Sequence, residues 1–344
     1  MCSFCNQKTI SGTAKKLTKE DIDNAVKIAT AREYDKANSE IAFFGGSFTA
    51  IDKDYITYLL ESAYPYVEKG LFKGIRCSTR PDAINEEILV LLKKYGVTAI
   101  ELGAQSMSDK VLEMNNRGHT AQDVINATNL IKKHGFECGL QMMTGLYGDT
   151  YESVIETAEK IISLKPDTVR IYPTVVLENT RLAELFYKME YFPLSVNESV
   201  EICSRLLGMF NDAGIKVIRL GLHSGGNVEE GFVAGAYHPA FRELCESRLY
   251  FEKCCKIIKD NNITLMNAKL HEILHDRIYN KEKRHVESYI ALRESVRGAK
   301  ENMNISTKLE IFNTKYKRDV LDYTNRYNFD KIKDTTSGKV KSDD

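Results

Sequence analysis

The stretch IAFFGGSFTA, residues 41–50, sets four apolar residues directly against two glycines and a pair of hydroxyl side chains. A short apolar run closed by glycine reads as a buried strand entering a turn. Outward from it, the same unit recurs along the chain. A helical pattern at 54–67 leads into GIRCS (74–78), and one at 85–94 leads into a strand at 98–102. A third at 121–134 precedes a strand at 138–142, and a fourth at 151–163 precedes TVRIY (168–172). Strands spaced by helices of this length indicate βαβ units and a parallel sheet. The strands end in the loops GGSFTA, STRPDA, ELGAQS, QMMTGLYGD and YPTVV. Ligands of parallel α/β folds bind at the carboxyl ends of the strands, so five loops are expected to share one site. The expected class is α/β, with five such strands.

After residue 180 the pattern changes. A helix is expected at 198–213 and a strand at 216–220 (KVIRL), followed by the loops GLHSGGN and GAYHPAF, which carry His223 and His238. From residue 241 the chain reads as helical, with a brief strand at 263–266. The expected division is a core over 1–220, a mostly helical extension over 221–333, and a tail over 334–344 that is disordered by composition.

Hydrophobic residues make up 43% and charged residues 28%, as in a globular protein. Lysine plus arginine equals aspartate plus glutamate at 48 each, so bulk charge calls for neither nucleic acid nor membrane. No apolar run reaches the ~18 residues of a membrane span. The polar opening CNQKTISGTAKK is not a secretory signal, and a cytoplasmic protein is expected. Of eight cysteines, six lie in apolar or helical patterns and read as reduced core residues. Cys2 and Cys5 alone have ligand spacing, at the edge of the chain. A lone CxxC suits half a zinc site, a redox pair or chance.

Several strand-end residues have binding chemistry. Gly45 and Gly46 let backbone approach a ligand closely. Glu101 closes its expected strand, and Gln105 in the next loop offers both a donor and an acceptor. Arg80 can clamp a carboxylate or stand on the surface before Pro81.

Taken in order, CSFC, FFGGSFTA, CSTRPDAI, IELGAQS, NRGHT and RIYPTVV resemble the radical S-adenosylmethionine (SAM) superfamily. Within it the chain is most similar to bacterial proteins related to the catalytic subunit of Elongator, over residues 1–252. The resemblance implies a partial (β/α)6 barrel. It also implies a 4Fe-4S cluster on three cysteines, the first two separated by three residues and the last two by two, with an aromatic before the third. Cys2, Phe4 and Cys5 match the second half. The first cysteine would lie three residues ahead of Met1 and the first barrel strand before it. The sequence is thus expected to begin inside the motif, short of one ligand and so of catalysis as it stands. Cysteine thiolates hold such clusters. In the family SAM binds the open iron, and an electron cleaves it to a 5′-deoxyadenosyl radical that takes hydrogen from a substrate.

By the same resemblance Gly45, Gly46, Ser47 and Thr49 face the SAM amino group, while Glu101 and Gln105 face its ribose and methionine end. Ser78 and Arg80 occupy the loop one strand earlier. Arg117 and His119 would bind carboxylate or substrate, or cap the helix after Thr120. Gln141, Met142 and Tyr172 would meet the adenine, and HPAFRE, around His238, resembles the family's C-terminal extension. The implied partners are SAM and a reductant such as flavodoxin or ferredoxin. An RNA substrate is suggested by the mildly basic 281–344 segment, the nearby Tyr279, and Tyr289, Tyr316, Tyr323 and Tyr327 within it. No acetyl-CoA loop of GxGxxG type follows residue 260, so Elongator's acetyl transfer is not expected. The related oxygen-independent coproporphyrinogen oxidases share GGSFT-like loops, without a porphyrin feature here. Two other readings stand beside this one. One is a non-catalytic SAM- or RNA-binding protein without a complete cluster. The other is a zinc-binding structural protein that pairs Cys2 and Cys5 across a dimer.

Overall fold

Alternation within each strand decides which side faces what. In β2 (Gly74–Thr79) the side chains of Ile75, Cys77 and Thr79 are buried, while Arg76 and Ser78 between them are half-buried. One face therefore packs on helices and the other is polar. The computed structural model describes residues 2–5, 16–222 and 231–260, the last eight by backbone alone.

Before β2 comes β1 (Glu40–Phe43), and after it β3 (Val97–Gln105), β4 (Glu137–Thr144) and β5 (Thr168–Pro173). A three-residue β6 (Val175–Leu177) follows, then β7 (Lys216–Leu220) and β8 (Phe232–Gly235). Strands β1 to β5 lie side by side in chain order and β7 joins β5, all six parallel, as a partial (β/α) barrel. The series read from sequence is thus one strand short. KVIRL belongs to the same sheet, although two helices and β6 separate it from β5. The YPTVV segment is not simply a loop either, because β6 pairs antiparallel with β8.

The helices are α1 (Lys19–Thr30), α2 (Lys53–Glu68), α3 (Glu86–Lys94), α4 (Asp109–Met114), α5 (Ala121–Lys133), α6 (Tyr151–Leu164), α7 (Arg181–Tyr187), α8 (Val196–Asp212) and α9 (Phe241–Asp260). Most start on a side-chain cap. Thr18 with Asp21, Thr120 with Asp123, Thr150 with Ser153 and Ser195 with Glu198 form reciprocal capping boxes. Such caps are worth about 1 kcal/mol each, and they fix where the strand-end loops stop. The core lies between sheet and helices: Ile75, Ile100, Leu140, Val169 and Ile171 on the strands and Leu60, Leu89, Val124, Ile131, Ile161 and Phe210 on the helices are all fully buried. Cys77, Cys138, Cys203 and Cys245 are buried there as expected. Burial pushes the first three thiols up to about 12. Among the described residues no helix is long and apolar enough to cross a membrane.

Two compact units divide the chain, Met1–Glu246 and Ser247–Asp344. The strand expected at 263–266, the tyrosine-bearing segment, the tail at 334–344 and His223 lie outside the described residues.

Candidate functional site

Cys2 and Cys5 close a tight turn, with the Cys5 amide donating to the Cys2 carbonyl at 3.2 Å. Both are partly exposed, whereas Ser3 between them is buried. The Ser3 amide donates to the Asn115 carbonyl (3.0 Å), and its hydroxyl donates to Asn115 Oδ1 (2.7 Å). The Ser3 carbonyl accepts from the Leu182 amide at 2.8 Å. Phe4 packs against the cluster of Val176, Leu182, Ala183, Leu185 and Tyr191. The turn is therefore held over the strand ends by the loop after α4 and the start of α7.

Arg117 joins this turn to the sheet. Its Nη1 donates to Cys2 Sγ (3.1 Å) and its Nη2 to the carbonyl of Gly103 in β3 (2.6 Å). Glycine at 103 leaves room for the side chains of Arg117 and Gln105. A Cβ there would sit 2.8 Å from Gln105 Nε2 and 3.2 Å from Arg117 Nη2. Gln105 ends β3 with φ +66°, a conformation that costs a non-glycine residue about 1 kcal/mol or more. His119 is buried, with Nε2 3.2 Å from the Ala104 carbonyl. Burial first, and then the Arg117 charge, push its pKa down, so the ring is neutral at pH 7 with Nε2 as the donor. Among the described residues, three buried polar atoms around residues 103–105 lack a partner: Gln105 Oε1, His119 Nδ1 and Arg117 Nε. Two of these want a donor and one wants an acceptor. Buried polar groups are rarely left so.

Deeper in the sheet, Glu101 stands in the middle of β3 rather than at its end, and its side chain is 1% exposed. Four nitrogens converge on its carboxylate. Arg170 binds it bidentately, with Nη2 at 2.8 Å; Gln141 Nε2 donates at 3.0 Å and Arg76 Nη1 at 3.4 Å. Arg76 also reaches Glu40 and Glu137, each at 2.7 Å. Burial opposes the Arg76 charge, but the bonds to Glu137 and Glu40 outweigh it and raise its pKa. The Arg170 guanidinium lies 5.0 Å from the centre of the Phe44 ring. Tyr172, one alternation further along β5, has its phenol pushed up by burial.

The remaining expected residues divide. Gly45, with φ +104°, and Gly46 form an exposed turn. Ser78 reaches the Gly46 carbonyl at 3.4 Å. The Thr49 hydroxyl is engaged in joining loops, 2.6 Å from Thr79 Oγ1 and 2.7 Å from the Ala83 carbonyl. Ser47 is half-buried at the head of the next turn. Arg80 pairs with Asp82 at the surface. Met142 is fully buried on the helix side. His238 is partly buried, accepting from the Ala240 amide at 3.1 Å. Sequence reading passed over Asn115 and Arg170. Among the described residues no third histidine, cysteine or carboxylate joins the cysteine pair within reach of one metal ion.

The loop after β4 carries a pH prediction. Asp149 accepts from Ser153 and from the Gly145 amide, yet burial pushes its pKa up to about 6. That is above the unfolded value of about 3.9. The folded chain therefore holds this proton more tightly. Stability should fall as pH rises from about 4 to about 6, and the cost is fully present above that. Asp149→Asn removes the dependence, so the variant should gain on the parent across pH 4–6 and then hold its margin. Urea midpoints at pH 4, 5, 6 and 7.5 measure this; a constant difference contradicts it.

The radical SAM superfamily model matches residues 1–161, and the radical SAM C-terminal domain model matches residues 166–250. The chain is 32% identical over 185 residues to the tRNA uridine(34) acetyltransferase of Methanocaldococcus jannaschii, covering 48% of this chain and 34% of that one. It is 31% identical over 190 residues to human Elongator complex protein 3, covering 49% and 35%. The chain thus spans about a third of the length of these relatives. Among solved structures, archaeal Elp3 of Methanocaldococcus infernus with residues 1–46 deleted aligns with TM-score 0.58 at 23% identity, over 68% of this chain and 58% of that one. That likeness shows the fold.

Proposed function

We propose, for a chain that belongs to the radical SAM superfamily and is an enzyme of that kind, that the turn at Cys2 and the end of β3 form one site for a 4Fe-4S cluster and SAM. The observation that carries this is the set of unpaired atoms around residues 103–105. An α-amino acid supplies an ammonium donor and a carboxylate acceptor. Two unpaired acceptors, Gln105 Oε1 and His119 Nδ1, and one unpaired cationic donor, Arg117 Nε, suit that pair of charges. Cys2 and Cys5 supply two thiolates of the kind iron–sulfur clusters take. When bound, the cluster supplies the electron that cleaves SAM to a 5′-deoxyadenosyl radical.

This chain's own residues then have distinct tasks. Arg117 holds the Cys2 sulfur and the β3 backbone in register, so cysteine loop and SAM cradle move together. Gly103 keeps the floor open, and the Gly45–Gly46 turn offers backbone groups. Glu101, Gln141 and Tyr172 line the polar face below, where Glu101 fixes Arg170. Phe4 anchors the turn in its apolar cluster.

The radical's substrate in this reading is tRNA. The name of the Methanocaldococcus acetyltransferase supports it, and the electron comes from a donor such as flavodoxin or ferredoxin. Anaerobic reconstitution with iron and sulfide, then SAM and dithionite, tests the chemistry. It is run on the chain as it stands and on a form extended through a cysteine three residues ahead of Met1. 5′-Deoxyadenosine is expected from the extended form and lost in its Cys2→Ala variant. Added tRNA should raise the yield. No product from either form removes the SAM-cleaving reading.

A further inference from the structure

We propose that Asn115 is the positioning residue for the cysteine turn, holding Cys2 and Cys5 in place through Ser3; its bearing on a cluster rests on the reading above. Asn115 closes α4 and is 0% exposed. Its carboxamide is fully used. Oδ1 accepts from the Ser3 hydroxyl (2.7 Å), while Nδ2 donates to the Val111 carbonyl (2.8 Å) and to the Tyr147 carbonyl (2.9 Å). Its own carbonyl takes the Ser3 amide. One side chain thus ties three segments: the end of α4, the loop after β4 and the turn between the cysteines. The pattern needs an acceptor and two donors at fixed angles, which among the side chains of this size is an amide. An aspartate of the same shape would aim a buried oxygen at two carbonyls; the Val111 carbonyl would keep the Asn115 backbone amide, while the Tyr147 carbonyl would lose this donor.

On its other side the turn is held by the Leu182 amide, which donates to the Ser3 carbonyl, and by the Phe4 ring in its apolar cluster. Arg117, two residues on, touches Cys2 Sγ itself. Asn115 therefore sets the backbone of the turn, and Arg117 sets the direction of one thiol.

The test reads the cysteines directly, without a cluster. The full chain, reduced and metal-free, is treated with iodoacetamide under native conditions, and labelling at each cysteine is followed by peptide mass spectrometry. In Asn115→Asp, Cys2 and Cys5 should label about tenfold faster than in the parent, as local opening of a buried hydrogen-bonded unit predicts. Cys77, Cys138 and Cys203 should stay protected. In Ser3→Ala, which cuts one bond and leaves the Asn115 amide donors in place, the two should label about threefold faster. Should Asn115→Asp expose the core cysteines as well, Ser3→Ala decides alone. Rates at Cys2 and Cys5 within a factor of 1.5, or about that, of the parent in Ser3→Ala overturn the proposal. A parallel reconstitution separates the two readings. If neither the parent nor the form extended through the upstream cysteine takes up iron, the cluster assignment fails while the labelling still judges Asn115.

Discussion

Glu101→Ala is expected to cost about 3–5 kcal/mol of stability, because it leaves a buried guanidinium without its carboxylate. The side chains involved are 1% exposed at Glu101 and 15% at Arg170, so water cannot replace the lost partner. Arg76 keeps Glu40 and Glu137 after the change, and most of the penalty falls on Arg170. Gln141 loses its acceptor as well. Replacing both ends should be milder than replacing one. A Glu101→Ala, Arg170→Met double variant should recover about half of the loss, a coupling that marks direct contact. Urea unfolding followed by circular dichroism measures the parent, the two single variants and the double variant. A single-variant loss under about 1 kcal/mol would mean that the carboxylate is solvated and that the four convergent nitrogens contribute little.

The second large effect is on binding. Gly103→Val should weaken SAM binding to the reconstituted protein by about a hundredfold, with little loss of stability. A branched side chain there meets Gln105 Nε2 and Arg117 Nη2, both tips of flexible side chains, before it meets backbone at the Thr79 carbonyl, 3.7 Å away. The tips can swing aside, which spares the fold. They cannot then hold a zwitterion, and losing two charge-assisted hydrogen bonds at about 1.5 kcal/mol each, the low end of their range, accounts for the factor. Equilibrium dialysis with labelled SAM and calorimetric melting read the two effects separately. An unchanged dissociation constant would place SAM elsewhere.

Strands were legible because their signals are local. The run at 41–44 is closed by two glycines. What failed was partnership at a distance. KVIRL has the look of any short strand, and nothing within it says that it pairs with β5. β6 is three residues long and finds β8 more than fifty residues later. Glu101 looked like a strand-end residue because a charged group inside an apolar run reads as its limit; its partner Arg170 lies 69 positions away. Asn115 gave no signal at all, since a buried amide is defined by what surrounds it. Gln105 and Arg117 were found through family likeness, and the structure adds their unpaired atoms and the Cys2 contact.

If the cysteine turn and the cradle at residues 103–105 serve one site, SAM bound at the cradle must perturb the cluster. Low-temperature electron paramagnetic resonance of the reconstituted, dithionite-reduced protein, with and without SAM, reads this. A shift in the g-values on adding SAM, absent in Gly103→Val, is the predicted result. A spectrum indifferent to SAM, from protein shown to hold iron and sulfide, would contradict it.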